Sequence, residues 1–149
     1  MKVLIIYHSE HHGNTQKIAK AMAEKINADV LNAVDFDLNK FNKYEICGFG
    51  SGVYNGRLHD ELLEILNKLS LKNNKKAFIF STTGSKTYSS MAHERIRPIL
   101  KEKGFEIIGE FSCLGFDTAL TSEGINHGRP NKQDIGDAED FIVGITKNN

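Results

Sequence analysis

Lys2-Val3-Leu4-Ile5-Ile6-Tyr7-His8-Ser9-Glu10-His11-His12-Gly13-Asn14-Thr15 is the stretch on which the fold turns. From Lys2 to Tyr7 it is continuous and aliphatic, without polar alternation, which is the pattern of a parallel strand covered on both faces. The polar segment Ser9 to Thr15 breaks the run. Ile18, Ala19, Met22, Ala23 and Ile26 then recur at helical spacing and predict a helix over Asn14 to Ile26.

The same alternation continues along the chain. Asp29 to Ala33 is a weak strand and Phe36 to Lys43 a connection. Tyr44 to Phe49 is an apolar strand, which Gly50-Ser51-Gly52 is expected to break. Leu58, Leu62, Ile65, Leu66 and Leu69 form a helical stripe. Lys76 to Ser81 holds Ala77-Phe78-Ile79-Phe80, a third buried strand, and Thr82-Thr83-Gly84-Ser85 reads as a loop. Met91, Ile96, Ile99 and Leu100 lie on a helix that Gly104 can cap. Pro98, inside it, predicts a kink or a later start. Phe105 to Leu114 is a strand, Gly115 to Pro130 a polar loop, and Asp134 to Ile145 a closing helix. Strand and helix alternating in this way predict one mostly parallel sheet with helices on both faces.

With 149 residues the chain has the length of one domain, expected to span residues 1–149. The 19 basic and 19 acidic residues cancel, which removes the case for nucleic acid or an anionic membrane as partner. The first apolar run is too short for a signal sequence or a membrane span, so a cytoplasmic location is expected. Cys47 and Cys113 sit in apolar strand-like runs and read as reduced core thiols rather than a disulfide or a metal site.

In an open α/β sheet, ligands bind outside the carboxyl ends of the strands. Three strands here end in loops rich in Gly, Ser, Thr, Asn and Tyr: after Tyr7, after Phe49 and after Phe80. The first runs directly into a helix and offers the hydroxyls of Ser9 and Thr15, the amide of Asn14 and backbone N–H groups around Gly13. A helix N-terminus presents unpaired donors and a partial positive charge, so a phosphate fits there without Lys or Arg. Neither the Walker pattern nor Gly-x-Gly-x-x-Gly is present. What remains is a site for a phosphate monoester held by neutral donors.

At Ile5-Ile6-Tyr7-His8-Ser9, followed by Gly13-Asn14-Thr15 and its helix, the chain resembles the flavodoxin family, of the short-chain kind. That family's loop usually reads Ser/Thr-x-Thr-Gly-x-Thr; here Glu10-His11-His12 between Ser9 and Gly13 make it one residue longer. Gly128-Arg129-Pro130-Asn131 with Asp134 and Phe141 also looks familial. The resemblance implies a three-layer α/β/α fold with a five-stranded parallel sheet in the order 2-1-3-4-5. It also implies one bound flavin mononucleotide (FMN). The phosphate would lie at Ser9, His11, His12, Gly13, Asn14 and Thr15. In the loop Ser51, Gly52, Val53, Tyr54, Asn55 and Gly56, a backbone carbonyl at Gly52 or Gly56 would turn toward the flavin N5, and Tyr54 would cover one face. Thr82, Thr83 and Gly84 would contact the ring edge, and Tyr88 would stack on the other face.

Function follows from the resemblance as an electron-transfer protein, a one-electron carrier cycling through a flavin semiquinone, with no catalytic residue. Its partners would be transient redox protein donors and acceptors, and the chain a monomer. One alternative is an FMN-dependent NAD(P)H or quinone oxidoreductase of the same fold, which needs a further pocket; the only spare length is Gly115 to Pro130. A second is a flavin-free regulatory domain, disfavoured because a phosphoacceptor receiver needs an acidic cluster at the strand ends. His11-His12 favours the phosphate over a metal, since a tetrahedral site needs three or four ligands and none is nearby in sequence. His59, His93 and His127 are expected at the surface. Asp134, Asp137, Glu139 and Asp140 complement the dipole of the last helix.

Overall fold

The computed structural model describes residues 1–10, 12–70 and 74–149. Its elements are β1 (Val3–His8), α1 (Asn14–Ile26), β2 (Asp29–Asn32), a 3₁₀ turn (Ala33–Asp35), α2 (Leu38–Phe41), β3 (Ile46–Tyr54), β4 (Arg57–Leu58), α3 (Asp60–Lys68), β5 (Lys76–Thr83), α4 (Lys86–Glu102), β6 (Glu106–Leu114) and α5 (Lys132–Lys147). Five strands run parallel in the order β2-β1-β3-β5-β6, and β4 pairs only with β3, antiparallel. This is the expected spatial order 2-1-3-4-5, renumbered by the insertion of β4.

The aliphatic run of β1 is explained by what lies on each side of it. Val3, Ile5 and Tyr7 point to the layer of α1 and α5, where Ile18, Ala19, Met22, Ala138 and Ile142 are buried. Leu4 and Ile6 point to the opposite layer, against Leu62 and Leu66 of α3 and Ala92, Ile96 and Leu100 of α4. Each fully buried aliphatic side chain of this kind contributes about 1.5–3 kcal/mol.

Two boundaries differ from the sequence reading. β3 does not break at Gly50-Ser51-Gly52 but continues to Tyr54, its Ser51 and Gly52 paired with Ser81 and Thr82 of β5. The glycines are there for space. A Cβ on Gly48 would lie 2.2 Å from the Phe78 ring, and one on Gly50 would lie 2.4 Å from the Phe80 ring. The aromatic rings of β5 fill the room that glycine leaves on the neighbouring strand, a use of strand glycine for close approach rather than for a turn. Likewise β5 extends through Thr82 and Thr83, which pair with Cys113 and Leu114 of β6.

Other expectations are met or refined. α4 runs uninterrupted through Pro98 from Lys86 to Glu102. Beyond it Gly104, at φ 84°, donates its N–H to the Lys101 carbonyl. The connection Phe36 to Lys43 contains the single-turn α2. α5 starts earlier than expected, because Asn131 and Asp134 cap it reciprocally: the Asn131 side chain accepts from the Asp134 N–H and the Asp134 carboxylate from the Asn131 N–H. Arg129 binds the same carboxylate through two hydrogen bonds of 2.6 and 2.8 Å. Cys47 and Cys113 are buried free thiols that burial pushes up to about 12, which keeps them protonated and inert. Among the described residues no helix is long and apolar enough to cross a membrane.

Candidate ligand cleft at the strand ends

The carboxyl ends of β1, β3, β5 and β6 open into one cleft of about 280 Å³. Ser9, Glu10, His12, Asn14 and Thr15 line it after β1, and Gly52, Val53 and Tyr54 at the end of β3. Thr82, Thr83 and Gly84 follow from β5, and Gly115, Phe116, Asp117, Thr118 and Ala119 after β6. Its position is the one that the topology of a doubly wound sheet dictates, because β1 and β3 are neighbours and their following helices leave on opposite faces.

The first wall is the N-terminus of α1. The residue preceding the helix is Gly13, held at φ 68°, a left-handed conformation that costs glycine nothing and most other residues about 1–2 kcal/mol. Having no side chain, it cannot itself cap the first turn of α1, so the backbone donors of Asn14 and Thr15 are left to the cleft with the positive end of the helix dipole behind them. Ser9 Oγ lies 3.4 Å from the Gln16 N–H and keeps its own hydrogen for a ligand. The Thr15 hydroxyl is 2.7 Å from that of Thr82, so either can relay a donor into the cleft while the other satisfies it.

Loops after β1 and β6 are stitched together. Asn14 donates to the Phe116 carbonyl at 2.8 Å, and His12 Nε2 lies 3.2 Å from Thr118 Oγ1. The His12 ring packs on Phe116 with centroids 4.6 Å apart. Asn126 donates to both the Gly84 and Gly115 carbonyls, at 3.0 and 3.2 Å, and so joins the ends of β5 and β6. On the facing side the Tyr54 ring leans over Gly52, its hydroxyl oxygen 3.0 Å from where a Gly52 Cβ would stand. Burial first, and then the charge of Glu10, push the Tyr54 hydroxyl up to about 12, so it remains a neutral donor.

Of the site residues expected from sequence, the structure brings Ser9, His12, Asn14, Thr15, Gly52, Val53, Tyr54, Thr82, Thr83 and Gly84 to the cleft, with Gly13 directly behind it. Others are placed elsewhere. The Ser51 side chain is fully buried, bonded to the Gly52 carbonyl and the His59 N–H. Asn55 and Gly56, at φ 52° and 71°, form the two-residue turn of the β3–β4 hairpin and lie beyond the cleft lining, since β3 carries them past the strand ends of its neighbours. Tyr88 stands on the first turn of α4 and is 54% exposed, outside the lining, because the helix begins at Lys86 and turns this position to solvent. His11 lies outside the described residues.

Sequence reasoning missed Glu10 and the whole segment Gly115 to Ala119. The available signal was positional: β6 is as parallel as its neighbours, so its carboxyl end must also reach the ligand edge.

Two histidines expected at the surface are not there. His59 is half-buried and accepts the Glu61 N–H at 3.2 Å, capping α3. His93, on α4, is buried in a chain of hydrogen bonds. Its Nδ1–H donates to Glu110 at 2.9 Å, and its Nε2 accepts from the Ser81 hydroxyl at 2.8 Å. Ser81 in turn meets Ser89, and Arg97 holds Glu110 in two hydrogen bonds of 2.6 and 2.8 Å. The Ser81–His93–Glu110 order mimics a hydrolytic triad, but Ser81 is fully buried and no substrate reaches it. Burial lowers His93 below the ordinary imidazole value, against the opposing pull of Glu110.

Comparison with known proteins agrees with this architecture. A family profile described as a flavodoxin domain matches residues 4–123. An uncharacterized protein of Methanocaldococcus jannaschii is 46% identical over 151 residues, covering 99% of this chain and 100% of the relative. Oxidised flavodoxin 2 of Bacillus cereus superposes with a TM-score of 0.74 at 17% identity, over 100% of both chains. A flavodoxin from the domain Archaea superposes with a TM-score of 0.72 at 17% identity, over 99% of this chain and 98% of its own. Fusobacterium nucleatum flavodoxin bound to flavin mononucleotide superposes with a TM-score of 0.70 at 13% identity, over 99% of each.

Proposed function

Because the chain belongs to the flavodoxin family, we propose that it binds FMN in the strand-end cleft and carries electrons through it one at a time. The observation that carries this reading is the N-terminus of α1, led by Gly13 with no cap from that residue, opening into a cleft that has no lysine or arginine among its described lining residues. Such a set fits a phosphate monoester, since backbone N–H groups and the Ser9 and Thr15 hydroxyls all donate and none adds a competing charge. The amides around Asn14 and Thr15, with Ser9, would hold the phosphate. Tyr54 and the backbone of Gly52, Thr82, Thr83 and Gly84 would border the ring system. Phe116, which lines the cleft, takes the aromatic place that the family resemblance assigns to Tyr88.

When bound, the flavin supplies the redox chemistry, and the protein supplies position, exclusion of water and electrostatics. This chain's contribution is a phosphate site of neutral donors, a Tyr54 that stays protonated, and two lining carboxylates, Glu10 and Asp117. The test is an absorbance spectrum of the purified protein, with FMN added, followed through stepwise dithionite reduction. A flavin spectrum that changes in two separate steps supports the carrier; protein that takes up no FMN refutes the cofactor.

A second reading, an NAD(P)H or quinone oxidoreductase, is favoured by one observation. A further cavity of about 580 Å³ adjoins the cleft, sharing Glu10 and Tyr54 with it and lined also by Arg57, His59 and Arg95. Sustained NAD(P)H oxidation by the FMN-loaded protein would select this reading, and reduction in a single two-electron step would agree with it.

A further inference from the structure

We propose that His8, Glu10 and His59 form a binding site for one divalent cation of the zinc class, at the edge of the cleft, with Glu61 as the outer carboxylate that orients His8. The three side chains come from separate places: the end of β1, the loop that follows it, and the residue that caps α3. Their donor atoms converge. His8 Nε2 and His59 Nε2 each lie 3.1 Å from the same oxygen, Glu10 Oε1, and all three atoms are within 4.8 Å of one another. Ligands of a tetrahedral zinc ion, with bonds of about 2.0–2.1 Å, stand about 3.3 Å apart, so the donor set is close to coordinating distance before any ion enters.

The surroundings add what a metal-binding histidine needs. Glu61 Oε2 lies 2.7 Å from His8 Nδ1 and accepts the ring proton there, so an ion that displaces the proton between His8 Nε2 and Glu10 meets the Nε2 lone pair. This carboxylate–histidine pairing fixes the tautomer and raises the basicity of the ligating nitrogen. His8 is buried and its position is set by the β1–β3 ladder, where it pairs with Ser51. Imidazoles ligate only in the neutral form, so with the Glu10 and Glu61 carboxylates the liganded set would carry −2, which one divalent cation neutralises. Two imidazoles and a carboxylate are a donor set for zinc, cobalt or nickel rather than for calcium or magnesium. Glu10 lines both cavities, so a fourth position would open toward the cleft, as in three-ligand sites that take a solvent or substrate oxygen.

Binding requires two local changes. The imidazole rings are stacked, 3.5 Å apart and 15° from parallel, and must splay for both lone pairs to meet one ion. A cation on His59 Nε2 moves the ring proton to Nδ1, which ends its hydrogen bond from the Glu61 N–H. Zinc loading is therefore expected to shift the Glu61 amide resonance.

The experiment is a calorimetric titration of zinc chloride into chelator-stripped, flavin-free protein, with cobalt(II) absorbance as a report of tetrahedral geometry. One zinc per chain is expected. Glu10→Gln and His59→Asn should each weaken it by more than about 100-fold, and Glu61→Gln by about 10–100-fold, the range of an outer carboxylate. Asparagine is a good N-cap, so His59→Asn keeps α3 capped and separates lost coordination from lost fold. Three results overturn the site: no binding at millimolar zinc; binding that survives both Glu10→Gln and His59→Asn, which puts the ion elsewhere; or ¹⁵N spectra in which His8 stays protonated on both nitrogens as zinc is added, which makes the occupant a proton. The titration needs no flavin, so its outcome is separate from that of the FMN reading.

Discussion

Two histidine–carboxylate groups lie on the same side of the sheet and are built differently. Around His93 every polar atom has an assigned partner: Ser89, Ser81, the imidazole, Glu110 and Arg97 follow in a line, and the group is closed from solvent on the serine side. Around His8, two imidazole nitrogens compete for one carboxylate oxygen at the rim of the cleft. The closed group satisfies itself and so contributes stability; the open one converges on a point and so is suited to holding something. The lesson is that residue types do not distinguish the two groups, whereas the convergence of the His8, Glu10 and His59 donor atoms at the cleft rim does.

Several substitutions can break or sharpen this contrast. The largest effect is expected at the closed group. His93→Ala should lower the unfolding free energy by about 2–4 kcal/mol, read by urea denaturation, because it leaves Ser81 and Glu110 short of a partner and opens a cavity. FMN affinity should be unchanged. A variant as stable as the wild type would put His93 in the same class as His8.

The closed group should also show itself in the pH dependence. The folded-state value of His93 lies below the ordinary 6.5, so as pH falls below 6.5 the unfolded chain takes up its proton first and stability declines. Glu110 acts lower. Burial pushes its carboxyl up, but the hydrogen bonds from Arg97 and His93 outweigh this and hold it below 4.5, so its contribution is present above that pH and is lost as pH falls through the folded value. Urea midpoints measured from neutral to mildly acidic pH should fall in the wild type and fall less in His93→Gln. Equal slopes would remove His93 as the cause.

At the open rim the effects should fall on ligand affinity. Thr15→Ala removes a hydroxyl from the phosphate site and strands Thr82, and should weaken FMN by about 0.5–1.5 kcal/mol in a fluorescence titration. Unchanged affinity would move the phosphate away from α1. The smallest effects are expected at His59→Asn, whose melting temperature should correspond to less than about 0.5 kcal/mol because the cap is preserved, and at Tyr88→Ala, whose FMN affinity should change by less than about 0.5 kcal/mol. A larger loss in Tyr88→Ala would bring that ring back into the site.

Three places differ between sequence and structure, each for one physical reason. Gly50-Ser51-Gly52 looked like a break, since glycine is the common turn residue, yet here it makes room for Phe78 and Phe80 on the adjacent strand. That partner lies some thirty residues away, and no local pattern reports it. The family resemblance puts Tyr88 on the flavin as an aromatic of the third loop, but α4 already begins at Lys86 and rotation about its axis turns Tyr88 to solvent. His93 has Ser89 and Arg97 one turn away on its own helix, but its direct partners, Ser81 and Glu110, come from β5 and β6, which local spacing does not report.

By itself the sequence determined the alternation of strand and helix, the double-sided burial of β1, the α1 boundaries and the glycine-led entry to that helix, because these depend on hydrophobic period and backbone preference within a dozen residues. Only the tertiary structure decided what stands against what: the closure of the cleft by Phe116 to Ala119, the hairpin that carries Asn55 and Gly56 away from it, and the meeting of His8, Glu10 and His59. Those contacts join segments about fifty to a hundred residues apart, and strand register and helix rotation, which local sequence does not encode, set their distances.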